Sequence, residues 1–360
     1  MKIGFYINVI GGGGAERVVA NLANQFSEDN NEVIVITSIR HEREYLLNER
    51  VKRYNLEEEE IAGRLKKNIS RISKLRKIVK SEKMDILISF MAEPNFRAVL
   101  ATIGLRTKCL ISVRNDPNRE YAGRIGKFLG QHLLPLADAC VFQTTEAQAW
   151  FPSKLQKKST IIPNAVKEEF FHIKRDRIPG LIVTCGRLTS QKNHTLLIDA
   201  FCQIASDCPE ALLQIYGEGE LRRQLQKHID STQYRNRISL MGATNNVPEV
   251  LAKADIFVLS SDYEGMPNAL MEAMAAGVAC ISTDCPCGGS KMLINTRECG
   301  VLVPINDVNS LSVAIQQLLS NNDINEMVCK NGKERALSFS PEKIYAIWKQ
   351  YVCRTAHCND

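Results

Sequence analysis

Residues 260–277 read SSDYEGMPNALMEAMAAG, directly after the apolar run that begins DIFVL at Asp255. The run has the length and composition of a buried strand, so the stretch is a strand-to-helix turn. Pro267 suits the first turn of a helix, because its missing N–H loses nothing there. Gly277 suits the stop. The expected helix therefore spans about 267–276, with Glu264 in the loop before it and Glu272 inside it. Free N–H groups over Gly265, Met266 and Asn268 favour a phosphate or a sugar oxygen. A carboxylate at Glu272 can accept hydrogen bonds from two neighbouring hydroxyls, as on a ribose, and Glu264 can do the same for a second polyol. Two acids at unequal depth fit a nucleotide joined to a sugar. A capping acid plus a surface acid is the plainer alternative, and most of ALMEAMAAG is core packing.

Outward from this turn, short apolar runs alternate with helical stretches in both directions. KIGFYINVI (2–10), EVIVITS (32–38), MDILISF (84–90), CLISVRN (109–115) and ACVFQTT (139–145) are the strands of a first series. The periodicity predicts helices at about 15–26 and 61–80 within it. After the polar segment KEEFFHIKRDRIPG (167–180), a second series runs LIVTCGR, ALLQIYG, ISLMG, DIFVLSS, VACISTD and GVLVP. Such alternation implies parallel sheets covered on both faces. The fold class is α/β, with two Rossmann-like β/α/β domains facing each other across a cleft. The domains are expected at 1–165 and 175–340, with the linker near 164–180. A last helix at about 341–360 could pack back on the first domain. Ligands of such sheets bind beyond the carboxyl ends of the strands.

Two more turns carry chemistry. GGGG (11–14) lies between a strand and a helix, where glycines allow close backbone approach to an anion. Its spacing is not G-x-G-x-x-G, and the second strand leads into TSIRHE rather than into a ribose-binding acid, which argues against a dinucleotide. A tight βα turn with no ligand is the alternative. In GRLTSQKN (186–193), an Arg and a Lys five residues apart at the end of a strand can converge on one pyrophosphate, Arg as a planar fork and Lys as a point charge. Two solvated surface charges would read the same way.

Taken together, GGGGAERVVANLA (11–23), IIPNAV (161–166), GRLTSQKN, YGEGE (216–220) and EGMPNALMEAMAAG (264–277) resemble the retaining GT-B glycosyltransferases of family 4, group 1. The resemblance spans nearly the whole chain, and the last segment matches the E-x7-E motif in full. It implies that the second domain binds a nucleotide-sugar donor, expected to be a UDP-sugar. Arg187 and Lys192 would hold the pyrophosphate. Glu264 would meet the donor sugar with the backbone of Gly265, Met266 and Pro267 and with Asn268. Glu272 would hold the ribose, Thr244 in GATN (242–245) would border the base, and Gly13 and Gly14 would close over the phosphates. The catalytic set implied is Glu264, Arg187, Lys192 and Asn115.

Two departures from the family stand out. Many members carry a His in the first domain where this chain reads SVRNDP (112–117), leaving Arg114 and Asn115 as the acceptor-side polar groups. Neither is a general base at neutral pH. In DCPCGGSKMLI (284–294), Gly289 and Lys291 stand where Pro and an acid are more usual, which bears on the donor's identity. The chain has no Asp-x-Asp to carry a divalent ion on a diphosphate. Arg187, Lys192 and a helix N-terminus would neutralise the leaving group instead, so no metal and no cofactor are expected. The C-x-C at Cys285 and Cys287 has no companion Cys or His pair at zinc spacing.

Composition agrees with an enzyme of this kind. With 360 residues, 44% of them hydrophobic and 24% charged, each half can form a core of its own. The N-terminal segment MKIGFYINVIGGGG is not built like a signal peptide, and no apolar run is long enough to span a bilayer. Cytoplasmic residence is expected, peripheral on the inner face of the membrane. Over residues 1–165, Lys and Arg outnumber Asp and Glu 26 to 18, whereas the remainder is 20 to 22. Residues 61–80 alone hold Arg64, Lys66, Lys67, Arg71, Lys74, Arg76, Lys77 and Lys80 with no acid. Their apolar stripe, Ile61, Leu65, Ile69, Ile72, Leu75 and Val79, should pack on the sheet. So dense a cationic face would hold an anionic leaflet and suits a polyprenyl-diphosphate-linked acceptor. Nucleic acid is not expected, because no aromatic platform accompanies the charges. The expected activity is transfer of a hexose or N-acetylhexosamine to a lipid-linked glycan in surface polysaccharide or capsule synthesis. A sugar-nucleotide epimerase of the same architecture, or a non-catalytic partner subunit, would share the fold.

Overall fold

The computed structural model describes residues 1–57 and 63–357. It divides into two compact units, Met1–Asn164 with Glu342–Asp360, and Ala165–Pro341.

Seven parallel strands form the sheet of the first unit: β1 (Lys2–Ile7), β2 (Glu32–Thr37), β3 (Lys52–Asn55), β4 (Ile86–Phe90), β5 (Lys108–Ser112), β6 (Ala139–Phe142) and β7 (Ser159–Ile161). Their order is β3-β2-β1-β4-β5-β6-β7. Every residue of β4 is buried, the signature of a central parallel strand covered on both faces. Two edge strands escape the hydrophobic pattern. KRYN of β3 and STI of β7 contain no buried residue, because an edge strand needs little apolar surface. Helices α1 (Gly14–Glu28), α2 (Arg64–Glu82) and α3 (Ala92–Thr102) connect strands within this unit.

The helix Pro341–Ala356 belongs to the first unit, although the chain has traversed the second before reaching it. Its Trp348 ring stacks on Phe90 at 5.8 Å, and Tyr345 lies edge-on to Phe26 at 5.1 Å. Lys349 pairs with Asp29 at 2.7 Å, and the Tyr351 hydroxyl donates to the Lys158 carbonyl at 2.6 Å.

Only part of the expected stripe of α2 is core. Leu75 and Val79 are buried, but Leu65 and Ile69 are 74% and 61% exposed, and Ile72 is half-buried. Ile61 lies outside the described residues. The buried pair lies in the C-terminal half of α2, where Arg76 is tied to the end of α3 through the Ala101 and Ile103 carbonyls, whereas the first two turns leave Leu65 and Ile69 uncovered.

The second unit has six parallel strands: β8 (Leu181–Cys185), β9 (Leu212–Tyr216), β10 (Ile238–Gly242), β11 (Ile256–Leu259), β12 (Ala279–Thr283) and β13 (Val301–Val303). Their order is β10-β9-β8-β11-β12-β13. The chain moves from β8 to β9 and β10, then returns to the far side of β8 as β11. The loops after β8 and β11 therefore leave neighbouring strands in opposite directions, which opens a crevice at their carboxyl ends. Beneath it, Leu197, Phe201, Leu213, Ile215, Ile256 and Val258 join one continuous apolar core.

Candidate active site

In the second unit, β8 and β11 deliver the two loops singled out in the sequence. After β8 come Gly186 and exposed Arg187, then a short turn, Ser190–Lys192. Asn193 adopts the left-handed conformation, φ 41° and ψ 52°. Its Nδ2 donates to Asp262 Oδ1 at 2.7 Å, and its Oδ1 accepts from the Leu196 N–H at 3.2 Å, capping the helix His194–Ile204. Asn tolerates this conformation better than most residues with a Cβ. The same side chain thus bends the first loop, starts the next helix and ties it to the second loop.

Further bonds join the loops. Lys192 Nζ lies 2.5 Å from Glu264 Oε1, the two side chains being only 15% and 10% exposed. Ser261 Oγ donates to the same carboxylate oxygen at 2.8 Å, Gln191 Nε2 donates to the Tyr263 carbonyl at 3.0 Å, and Ser260 Oγ donates to the Lys192 carbonyl at 2.9 Å. Glu264 is buried and doubly held. Ser261 and Gln191 carry no signal of their own in the sequence, but both stand inside the two motifs that did.

Helix Asn268–Ala275 follows Glu264. Pro267 is its N-cap rather than its first helical residue, because ψ of 101° keeps it extended. No side chain caps this end. Glu272 is buried on the helix and sits close enough to Cys185, at the end of β8, to raise that thiol further beyond what burial does. Glu264 and Glu272 therefore both belong to the carboxyl edge around β8 and β11. Met266 is buried beside them.

Two close backbone approaches shape the surroundings. A Cβ on Gly217 (φ +146°) would stand 1.9 Å from the Gly186 carbonyl oxygen, so YGEGE lies directly on the Arg187 loop. A Cβ on Gly289 would stand 1.8 Å from the Gly265 carbonyl oxygen and 3.0 Å from Pro267 Cδ. This position, where the family more often has Pro, here presses backbone against the Glu264 loop. Thr244 is half-buried and its Oγ1 accepts from the Asn246 N–H at 3.0 Å, which leaves its own O–H free to turn elsewhere.

His194 went unremarked in the sequence. It is buried, its Nε2 donates to the Arg187 carbonyl at 3.2 Å, and Nδ1 has no partner among the described residues. Burial pushes its pKa down to about 4, so the ring is neutral at physiological pH.

The remaining expected residues lie in the first unit. Gly13 precedes α1 and Gly14 begins it; the Tyr45 hydroxyl donates to the Gly13 carbonyl at 3.1 Å. Arg114 is buried, with Nη2 donating to Asn164 Oδ1 at 2.7 Å and its guanidinium 5.5 Å from the Phe90 ring centre. Asn115 is half-buried and its Oδ1 accepts from the Asp116 N–H. Close to Arg114 stands Glu120, which the sequence did not flag. One of its oxygens accepts from the Ala92 N–H at 2.8 Å, at the start of α3, and the other is enclosed without a partner. Burial raises its pKa to about 7, against the opposing pull of that N–H and of Arg114. Among the described residues no group of three or more His, Cys, Asp or Glu side chains is arranged to hold a metal ion.

A crevice at a topological switch point, lined by a cationic loop and by two carboxylates, one before the following helix and one within it, is where a parallel α/β sheet places its ligand. Comparison with known proteins gives the family. The family model for glycosyl transferases group 1 matches residues 166–335, and that for glycosyltransferase family 4 matches residues 12–170. The two together span both units, and the chain belongs to this glycosyltransferase family. It is 28% identical to a Campylobacter jejuni GalNAc-α-(1→4)-GalNAc-α-(1→3)-diNAcBac-PP-undecaprenol α-1,4-N-acetyl-D-galactosaminyltransferase, over 98% of both chains. It is 29% identical to a second C. jejuni enzyme, an N-acetylgalactosamine-N,N'-diacetylbacillosaminyl-diphospho-undecaprenol 4-α-N-acetylgalactosaminyltransferase, over 95% of this chain and 97% of the other. Among solved structures, Anabaena HepE in complex with UDP shares the GT-B fold with a TM-score of 0.82 at 16% identity, covering 98% of this chain and 100% of that one.

Proposed function

We propose that this glycosyltransferase moves a hexose or N-acetylhexosamine from a UDP-sugar to a polyprenyl-diphosphate-linked glycan, with retention of configuration and without a metal ion. The observation that carries the reading is the joining of Lys192 and Glu264 across the β8 and β11 loops, with Glu272 on the helix that follows. A lysine ammonium has three donors, so Lys192 can hold Glu264 and still meet a phosphate oxygen. Exposed Arg187 supplies a fork for the same diphosphate. These two cations and the uncapped start of helix Asn268–Ala275 stabilise negative charge as it grows on the departing UDP, the part a metal ion plays in other sites. Glu264, with the backbone of Gly265, Met266 and Pro267 and with Asn268, receives the sugar hydroxyls. Glu272 receives the ribose hydroxyls, and Thr244 borders the base. In the first unit, Gly13 and Gly14 offer backbone N–H groups to an anion, and Asn115 Nδ2 can orient an acceptor hydroxyl. Arg114, locked between Asn164 and aromatic rings, serves that side by fixing the loop that carries Asn115.

The lipid-linked acceptor is inferred from the two C. jejuni relatives, whose names specify undecaprenyl-diphosphate substrates. Among the described residues no helix is long and apolar enough to cross a membrane. The proposed location is peripheral, on the cytoplasmic face, with the cations of α2 against anionic headgroups. The deciding experiment incubates the purified protein with a panel of radiolabelled UDP-sugars and a bacterial lipid extract, with and without EDTA. Label should pass into the organic phase in both conditions, and the product's anomeric configuration should match the donor's. Activity that requires added Mn²⁺ or Mg²⁺ would overturn the metal-free reading, and conversion of the donor sugar without transfer would indicate an epimerase.

A further inference from the structure

The first unit exposes a second apolar element. In its sheet, the connections β3→β4, β4→β5 and β5→β6 all advance in the same direction, so right-handed crossovers place α2, α3 and residues 113–138 on one face. These pieces are braced together. Arg64 pairs with Glu93 at 2.6 Å, Arg76 donates to the Ala101 and Ile103 carbonyls, and Phe96 on α3 lies edge-on to Tyr121 at 5.7 Å.

Beyond Tyr121 comes a short helix, Gly123–Phe128, continued by one π-helical turn, Leu129–Leu133. The short helix buries none of its residues. Ile125 and Phe128, three apart and so on one side of the helix, are 77% and 62% exposed, and Phe128 lies against the His132 ring at 4.7 Å. Leu136 is exposed just after it, and Leu65 and Ile69 are exposed on α2, which lies on the same face of the unit. Grouped exposure of large apolar side chains marks a docking surface rather than a random residue of folding.

Charge selects the occupant. Residues 121–137 contain Arg124 and Lys127 and no acid, and residues 61–80 contain eight cations and no acid. A second copy meeting this patch about a twofold axis would set cations against cations, whereas an anionic leaflet complements both the apolar centre and the basic rim. We propose that Ile125 and Phe128 insert into the interfacial layer of an anionic membrane while Arg124, Lys127 and the exposed cations of α2 rest on the headgroups. The proposal rests on the reading of the chain as an enzyme of lipid-linked acceptors and adds the element that penetrates.

Insertion and surface attraction respond differently to salt, because screening weakens only the second. The test uses the full chain and vesicles of mixed phosphatidylcholine and phosphatidylglycerol, at about 0.1 M and about 1 M NaCl, where the Debye length is about 10 Å and about 3 Å. Wild type should keep a salt-resistant fraction of co-sedimentation. The double variant Ile125→Ser with Phe128→Ser should lose that fraction about tenfold, and reversing Lys66, Lys67, Lys74 and Lys77 to Glu should instead remove the salt-sensitive part. Separately, Phe128→Trp fluorescence should shift to the blue on adding vesicles and be quenched by lipids brominated on their acyl chains. Unchanged emission, or sedimentation of the double variant equal to wild type at high salt, would overturn the proposal. So would light scattering that shows the double variant dissociating a dimer while vesicle binding is unaffected. Melting temperature and UDP retention should match wild type in every variant. Sedimentation reads the membrane without turnover, so failure of the transferase reading would show separately, as no transfer from any UDP-sugar.

Discussion

Lys192 and Glu264 stand 2.5 Å apart although 72 residues separate them in the chain. Each belongs to a different loop, and the pair joins the loop that would grip a diphosphate to the loop that would read a sugar. A pair this enclosed is costly to break from one side only, because the remaining charge is left without its partner.

Lys192→Met should accordingly lower stability by about 2–4 kcal/mol and weaken UDP binding as well. Adding Glu264→Gln should recover part of the stability and none of the affinity. Urea unfolding and calorimetry on the two single variants and the double variant measure the coupling; strict additivity would show that the pair is not an energetic unit.

Glu272→Ala should weaken UDP by about 1.5–3 kcal/mol, the worth of hydrogen bonds to a charged acceptor. Deoxy-UDP lacking the 2′-hydroxyl should be less affected by the same change. Equal affinities of wild type and variant for UDP would remove Glu272 from the ribose.

At Gly289 the added methyl of Ala would overlap the Gly265 carbonyl oxygen, with both groups held by backbone. The Glu264 loop must then move, at a cost of about 1–3 kcal/mol. Gly289→Ala should lose donor affinity while the circular dichroism spectrum stays unchanged. Wild-type affinity would mean that the loop's position does not govern the donor.

Glu120 predicts a pH effect. Its folded pKa, about 7, lies above the ordinary glutamate value of 4.5 that it has in the unfolded chain. The folded protein therefore binds more protons between these limits, and stability falls as pH rises from about 4.5 to about 7. Above that window Glu120 imposes its full penalty, on the order of 1–3 kcal/mol. Glu120→Gln should be more stable than wild type at pH 8 and nearly equal to it at pH 4.5. A difference that does not change with pH would place the titration elsewhere.

Much of this protein was legible in one dimension. Period and composition marked the strands buried on both faces, since such strands must be apolar throughout, and local spacing marked Glu264, Arg187 and Lys192 as residues of strand-end loops and Glu272 as a residue of the helix that follows. What spacing could not supply was contact. β3 and β7 were invisible because edge strands can be polar, and Leu65 and Ile69 read as core because helical periodicity reports a face without saying which of its turns another element covers. The pairing of Lys192 with Glu264, the closeness of Gly289 to Gly265 and the enclosure of Glu120 arise from strand order: β11 returns beside β8, and α3 starts beside the segment after β5. These are long-range contacts, set by how the layers pack, and only the folded chain decides them.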